Sequence, residues 1–233
     1  MNIRENSPSH AFPKTLSQSI YNYLKESIID NELKANQRIN EKEIAGTFGV
    51  STTPVREAVL RLGAEGFVTI NFHREAVIKE ISFDELKEIF EALGALDSIA
   101  TGRAVDNLSP EMLKELENLT KEMERHCSTS SLEKYLDLHV NIHNKIWDSI
   151  PNKFLKGLIQ QVSDQMLRYK HARLHAFQKP EVLKKSLNEH KELLKALKSK
   201  DKKRLKTMMP KHWVSPLKSS SFKEGLNEYL SNQ

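Results

Sequence analysis

From Ser82 onward the sequence is written almost without a break in the helical period, and its segments open on start signals. Ser82 and Glu85 stand three apart ahead of an apolar run, the pairing of a capping box, and predict a helix to about Val105. Ser109–Pro110 opens a second, to about Arg125, and Ser130 with Glu133 makes another capping pair. Further helices fit about 131–149, 152–177, 180–199 and 201–214, with a short last one allowed after Ser219. Eight glycines in 233 residues is about half the usual share. That scarcity speaks against glycine-punctuated sheets and phosphate-cradling loops. A mostly α fold follows.

The first 80 residues have a different texture. Leu16, Ile20, Leu24 and Ile28 recur every fourth residue and predict a helix over 15–30. A short helix fits Glu41 to Phe48, with Gly49 suited to its C-terminal cap. Ser51 is a good N-cap for a third helix, in which Pro54 falls in the first turn and Val55, Val59 and Leu62 share a face. Phe67–Ile70 and Ala76–Lys79 read as two short strands joined by a polar tip. Two helices across a tight turn followed by a hairpin is the pattern of a winged helix-turn-helix, whose second helix lies in the DNA major groove. Ser51, Thr52, Thr53 and Arg56 stand at the start of that helix, and His73 and Arg74 at the hairpin tip. Hydroxyls suit phosphate oxygens, and an arginine fork can take guanine bidentately.

Bulk charge does not carry this reading. The net +5 arises entirely after residue 80, on lysine-rich helical sequence, while the first 80 residues are neutral. No apolar run approaches the ~18–20 residues that span a bilayer, and the N-terminal ten residues lack the apolar stretch of a signal peptide. A single cysteine, Cys127, excludes an intrachain disulfide framework. A cytoplasmic protein with no membrane partner is expected.

The run EKEIAGTFGVSTTPVREAVLRLGAEGFV closely resembles the DNA-binding domain of GntR-family bacterial transcription regulators, over about residues 15–80. The resemblance implies double-stranded operator DNA as partner. It implies operator contacts at Lys42, at Ser51, Thr52, Thr53 and Arg56, and on the wing around His73 and Arg74. Arginine is usual in the family where this chain has Thr52, which implies an altered operator or weaker binding.

Four of the nine histidines sit on apolar stripes. His139 and His143, one turn apart, flank Leu138, Ile142 and Ile146. His190 lies within Leu183, Leu187, Leu194 and Leu197, and His212 within Leu205, Met208 and Met209. A buried imidazole without a partner is costly. A hydrogen-bonded neighbour answers that for a single histidine; four on interior faces could satisfy one another through a metal. His171 and His175 lie among Arg168, Lys170 and Arg173 and read as a solvated pair.

Residues from about 82 to 214, through HVNIHNKIWDSIPN, NEHKELLKAL and MMPKHW, are similar to the helical ligand-binding domain of the FadR-type branch, the FCD domain. That resemblance implies an antiparallel bundle of six or seven helices, a homodimer, and a divalent metal held by three histidines and an acidic residue. It also implies an organic-acid effector. The histidines fall on His143, His190 and His212, and the acidic position is occupied by His139. Four nitrogen donors favour zinc or nickel over harder ions. Arg168 and Arg173 are candidates to pair with an effector carboxylate.

The expected layout is a flexible arm over 1–14, a winged helix-turn-helix over 15–80, an effector-binding and dimerisation domain over 81–216, and a C-terminal extension over 217–233. The expected function is a transcriptional regulator, a repressor, modulated by a small organic acid at a metal-containing site, and not an enzyme. Two alternatives stand beside it. One is a regulator for which the metal itself is the effector. The other is a zinc hydrolase, since His139 and His143 have zincin spacing, although no glutamate follows the first histidine.

Overall fold

The computed structural model describes residues 15–71 and 75–231. The expected arm over 1–14 and the wing-tip positions His73 and Arg74 lie outside them. The chain divides into two compact units, one ending at Lys79 and the other starting at Glu80.

In the first unit, α1 (Leu16–Ile29) is capped by Thr15, whose hydroxyl accepts from the Gln18 amide. Its stripe packs as its spacing requires: Ile20, Leu24 and Ile28 are buried. Leu16 stays largely exposed. Asn40 caps α2 (Glu41–Phe48), accepting from the amides of Lys42 and Glu43. Gly49 ends α2 in the left-handed region, φ 65°, where a side chain would be strained. The chain then enters α3 (Thr52–Ala64), which buries Val55, Ala58, Val59 and Leu62. Two strands, β2 (Val68–Ile70) and β3 (Ala76–Ile78), pair antiparallel with Thr69 opposite Val77. A third, β1 (Arg38–Ile39), adds to the free edge of β3, Arg38 opposite Val77, in the order β1-β3-β2. The sequence reading has no strand there, because two residues are too short to carry an alternation.

The second unit is all helix: α4 (Phe83–Ala104), α5 (Pro110–Arg125), α6 (Leu132–Asp148), α7 (Lys153–Gln165), α8 (Lys170–Phe177), α9 (Pro180–Lys198), α10 (Lys202–Val214) and α11 (Ser220–Ser231). The caps at Ser82 and Ser109 form, accepting from the amides of Glu85 and Met112. The cap expected at Ser130 does not. A 3-10 turn over Thr129–Ser131 carries the chain into α6, and Ser131 takes the cap position without a side-chain bond. The single helix expected over 152–177 is also divided. A 3-10 segment, Met166–Tyr169, separates α7 from α8. There the Arg168 fork and the Tyr169 hydroxyl both reach Glu85, and Arg168 also donates to the Glu80 carbonyl. These ties across the bundle fix the turn that local propensity does not indicate.

α4 and α10 make the most extensive helix pairing, α5 lies against α6 and α9, and α11 lies on α8. Pro210 sits inside α10 and removes a helical hydrogen bond, yet the helix runs on to Val214. Its backbone is accommodated by Gly94 of α4, where an added Cβ would come within 2.9 Å of the Pro210 Cα. Gly94→Ala is therefore expected to cost ~1–3 kcal/mol by overpacking. For a domain of this size that lowers the melting temperature by roughly 2–4 °C per kcal/mol, read by calorimetry. An unchanged melt would show that α4 and α10 can move apart freely. Phe222 and Leu226 of α11 are fully buried in the same core as the rest of the helical unit. Among the described residues no helix is long and apolar enough to cross a membrane.

Candidate metal centre and nucleic-acid interface

The candidate nucleic-acid face is the start of α3. Ser51 stands at the N-cap, exposed, and makes no side-chain cap bond. The first amides of α3 and the Ser51 hydroxyl therefore remain available to an anion. Thr53 is exposed, Thr52 half-buried, and Lys42 exposed on the first turn of α2. The Arg56 guanidinium is held from one side, its Nε and one terminal nitrogen each 3.1 Å from Glu41 Oε2. That tie places Arg56 beside the start of α2, next in chain to Lys42. Arg61 is a structural residue: it stacks 3.8 Å over the Tyr21 ring and bonds Glu65 and Gln18. Arg38, on the unforeseen β1, is a further exposed cation, paired with Glu75 at the end of the wing.

In the helical unit, α6, α9 and α10 bring His139, His143, His190 and His212 together. All four are buried, and one nitrogen from each lies within 4.8 Å of the others. Three rings are oriented through Nδ1. His190 donates to the Ser186 carbonyl one turn back, at 2.8 Å, and His212 to Glu189 Oε2 at 2.9 Å. His143 Nδ1 stands 3.0 Å from Asp97 Oδ2, somewhat off the line of its N–H. With the proton on Nδ1, each Nε2 presents a lone pair. Those of His143 and His212 face each other at 3.2 Å, and that of His190 is buried with no partner, as is His139 Nδ1. A proton on either Nε2 satisfies the His143–His212 pair, whereas a shared cation would satisfy all four rings at once. Two nitrogens on one tetrahedral zinc ion at ~2.0–2.1 Å stand roughly 3.3 Å apart. The donor set therefore fits a dication. Burial, reinforced by the neighbouring imidazoles, drives His139 and His190 well below the ordinary histidine pKa, so both are neutral donors at pH 7.

Asp97 of α4 is fully buried behind this cluster. Its Oδ1 accepts from Trp147 Nε1 at 2.7 Å and Thr101 Oγ1 at 2.8 Å, and its Oδ2 from Trp213 Nε1 at 2.8 Å. Burial pushes the carboxyl up, but the adjacent His143 and the donors overcome it and hold the group at about 2. Neither Asp97 nor Glu189 was singled out from the sequence. The signal for Asp97 is an acid on the buried stripe Phe90, Leu93, Ala100, Ala104. For Glu189, on a helix rich in charge, there is none.

The two candidate effector arginines part company. Arg168 is committed to Glu85 and the Glu80 carbonyl, so its guanidinium already has partners. Arg173 lines a narrow cleft with His139, His212, Phe90, Met166 and Phe177. It is buried, its Nε lacks a partner, and desolvation lowers its pKa to about 10. His175 pairs with Glu228 of α11 and is not one of the four clustered histidines.

The model for bacterial regulatory proteins of the gntR family matches residues 16–77, and that for the FCD domain matches residues 88–215. The chain belongs to the GntR family and carries an FCD domain. This GntR regulator is 28% identical to YdhC, an HTH-type transcriptional regulator of Bacillus subtilis, over 83% of its own length and 85% of that protein's. It is 28% identical to McbR of Escherichia coli, over 81% and 85%. The solved structure of E. coli McbR/YncC superposes with a TM-score of 0.71 at 25% identity, covering 92% of this chain and 99% of that one. A GntR structure from Rhodococcus, 15% identical with a TM-score of 0.66, shares the fold. The GntR regulator is thus a DNA-binding transcription factor and not an enzyme, and the zinc-hydrolase alternative falls.

Proposed function

We propose that this GntR regulator is a homodimeric repressor whose grip on its operator is set by a small organic acid bound beside a divalent metal, zinc or nickel. His139, His143, His190 and His212 would hold the metal. The observation that supports this is the convergence of four buried imidazoles, His190 and His212 oriented through Nδ1, with His190 Nε2 and His139 Nδ1 left unpartnered. A bound dication would supply the charge those lone pairs face and an anchor for an anionic oxygen.

The acid is argued from Arg173. A buried cation with no anionic partner among the described residues is costly, and a carboxylate satisfies it with paired, charge-assisted hydrogen bonds. This favours an acid over the metal alone as effector. Repression is supported by relatives: RspR and GlaR of E. coli, 24% and 23% identical, are transcriptional repressors. Dimerisation is supported by half-site geometry, since one recognition helix reads few base pairs.

Elemental analysis of untagged protein is expected to find about one equivalent of metal, or its uptake on adding zinc or nickel. Less than about a tenth of an equivalent, with no uptake, would overturn the metal. Operator binding measured by anisotropy across a panel of small carboxylates tests the acid. Arg173→Met is expected to keep the metal and abolish the response to the active acid; an undiminished response would remove Arg173 from the site.

A further inference from the structure

A cation held by four imidazoles meets no negative charge in its own ligands, and that is the physical weakness of a four-histidine centre. Two carboxylates stand directly outside this one. Glu189 Oε2 accepts from His212 Nδ1 at 2.9 Å while its Oε1 takes the Ser215 hydroxyl, so its position is fixed at both oxygens. Asp97, fully buried, has its Oδ2 3.0 Å from His143 Nδ1, and is held from behind by two indoles and a threonine. The rings they touch are the two whose Nε2 atoms face each other at 3.2 Å.

We propose that Asp97 and Glu189 are positioning residues for the metal centre: they fix His143 and His212 as Nε2 donors and supply the negative charge that His139 does not. This rests on the four histidines being the metal site. A carboxylate behind a ligating histidine fixes its tautomer and raises its basicity, and losing it typically costs 10–100-fold in metal affinity. His190 gets the same orientation from a neutral carbonyl, so charge is delivered to two ligands only. His139 has no such partner at Nδ1.

The test uses the full-length protein and zinc alone, titrated against a chromophoric chelator. Glu189→Gln and Asp97→Asn keep an accepting oxygen and remove the charge; each is expected to weaken zinc binding about 10–100-fold. Asp97→Asn places an amide against indole donors and can fail to fold, and Glu189→Gln, whose side chain is a quarter exposed, then decides. A second readout needs no metal. Nitrogen-15 imidazole spectra of the zinc-free protein are expected to show His143 and His212 as Nδ1–H tautomers, and Glu189→Ala to release His212 from that form. Zinc binding by wild type with both folded variants within twofold of it would overturn this inference alone. So would Nε2–H tautomers at both rings. No zinc binding by wild type would overturn the metal site itself.

Discussion

His190→Ala is expected to abolish the thermal stabilisation that the proposed metal would give this regulator. A ligand bound only by the folded state at about a thousandfold above its Kd adds ~4.1 kcal/mol. At roughly 2–4 °C per kcal/mol for a domain of this size, chelation should lower the wild-type melt by roughly 8–16 °C. The variant loses a nitrogen that is buried, preset by the Ser186 carbonyl and without any other partner. It also leaves a cavity, which lowers its melt whether or not metal is present. The diagnostic quantity is therefore the difference with and without chelator, measured by calorimetry, and it should vanish. A variant that still gains as much from zinc as wild type would place the metal elsewhere.

Arg56→Ala is expected to weaken operator binding by ~1–3 kcal/mol, about fivefold to 150-fold, and to relax preference at one base pair in each half-site. Glu41 grips the guanidinium at Nε and one terminal nitrogen, both 3.1 Å away, so the side chain is partly ordered before DNA arrives. Less rotamer entropy then remains to be lost on binding. Lys42→Ala, one residue from that ion pair and exposed, should instead weaken all sequences alike and reduce the salt slope by about one. Anisotropy titrations against an operator and its single-base variants at two salt concentrations separate the two. Equal discrimination by wild type and the Arg56 variant would assign Arg56 to the phosphates.

The helices were readable because their information is local: Ser82 and Ser109 each precede a helix and accept from an amide three residues on. The turn at 166–169 was not, since Arg168 and Tyr169 are drawn to Glu85, more than eighty residues away. The four histidines stood out because each interrupts an apolar stripe. Periodicity gives the face of a helix but not which faces meet, and so α6, α9 and α10 could be named without their convergence being derivable. Asp97 carried the same kind of signal, an acid among Phe90, Leu93 and Ala100, and was passed over. Glu189 carried none, because its partners His212 and Ser215 lie on the next helix and just beyond it.

The chain has two tryptophans, and both indole N–H groups end on Asp97. The rings of Trp147 and Trp213 lie 5.8 and 4.7 Å from that of His143. All indole fluorescence of this protein therefore originates beside the histidine cluster, and none from the DNA-binding unit. Emission excited at the red edge follows the helical unit alone, and a paramagnetic ion such as nickel entering the cluster would quench it without any label. A melt followed by that emission is blind to the winged helix, whose unfolding has to be read from the far-ultraviolet dichroism of the backbone. Transitions that disagree between the two probes would thus report two cooperative units in one chain rather than a folding intermediate.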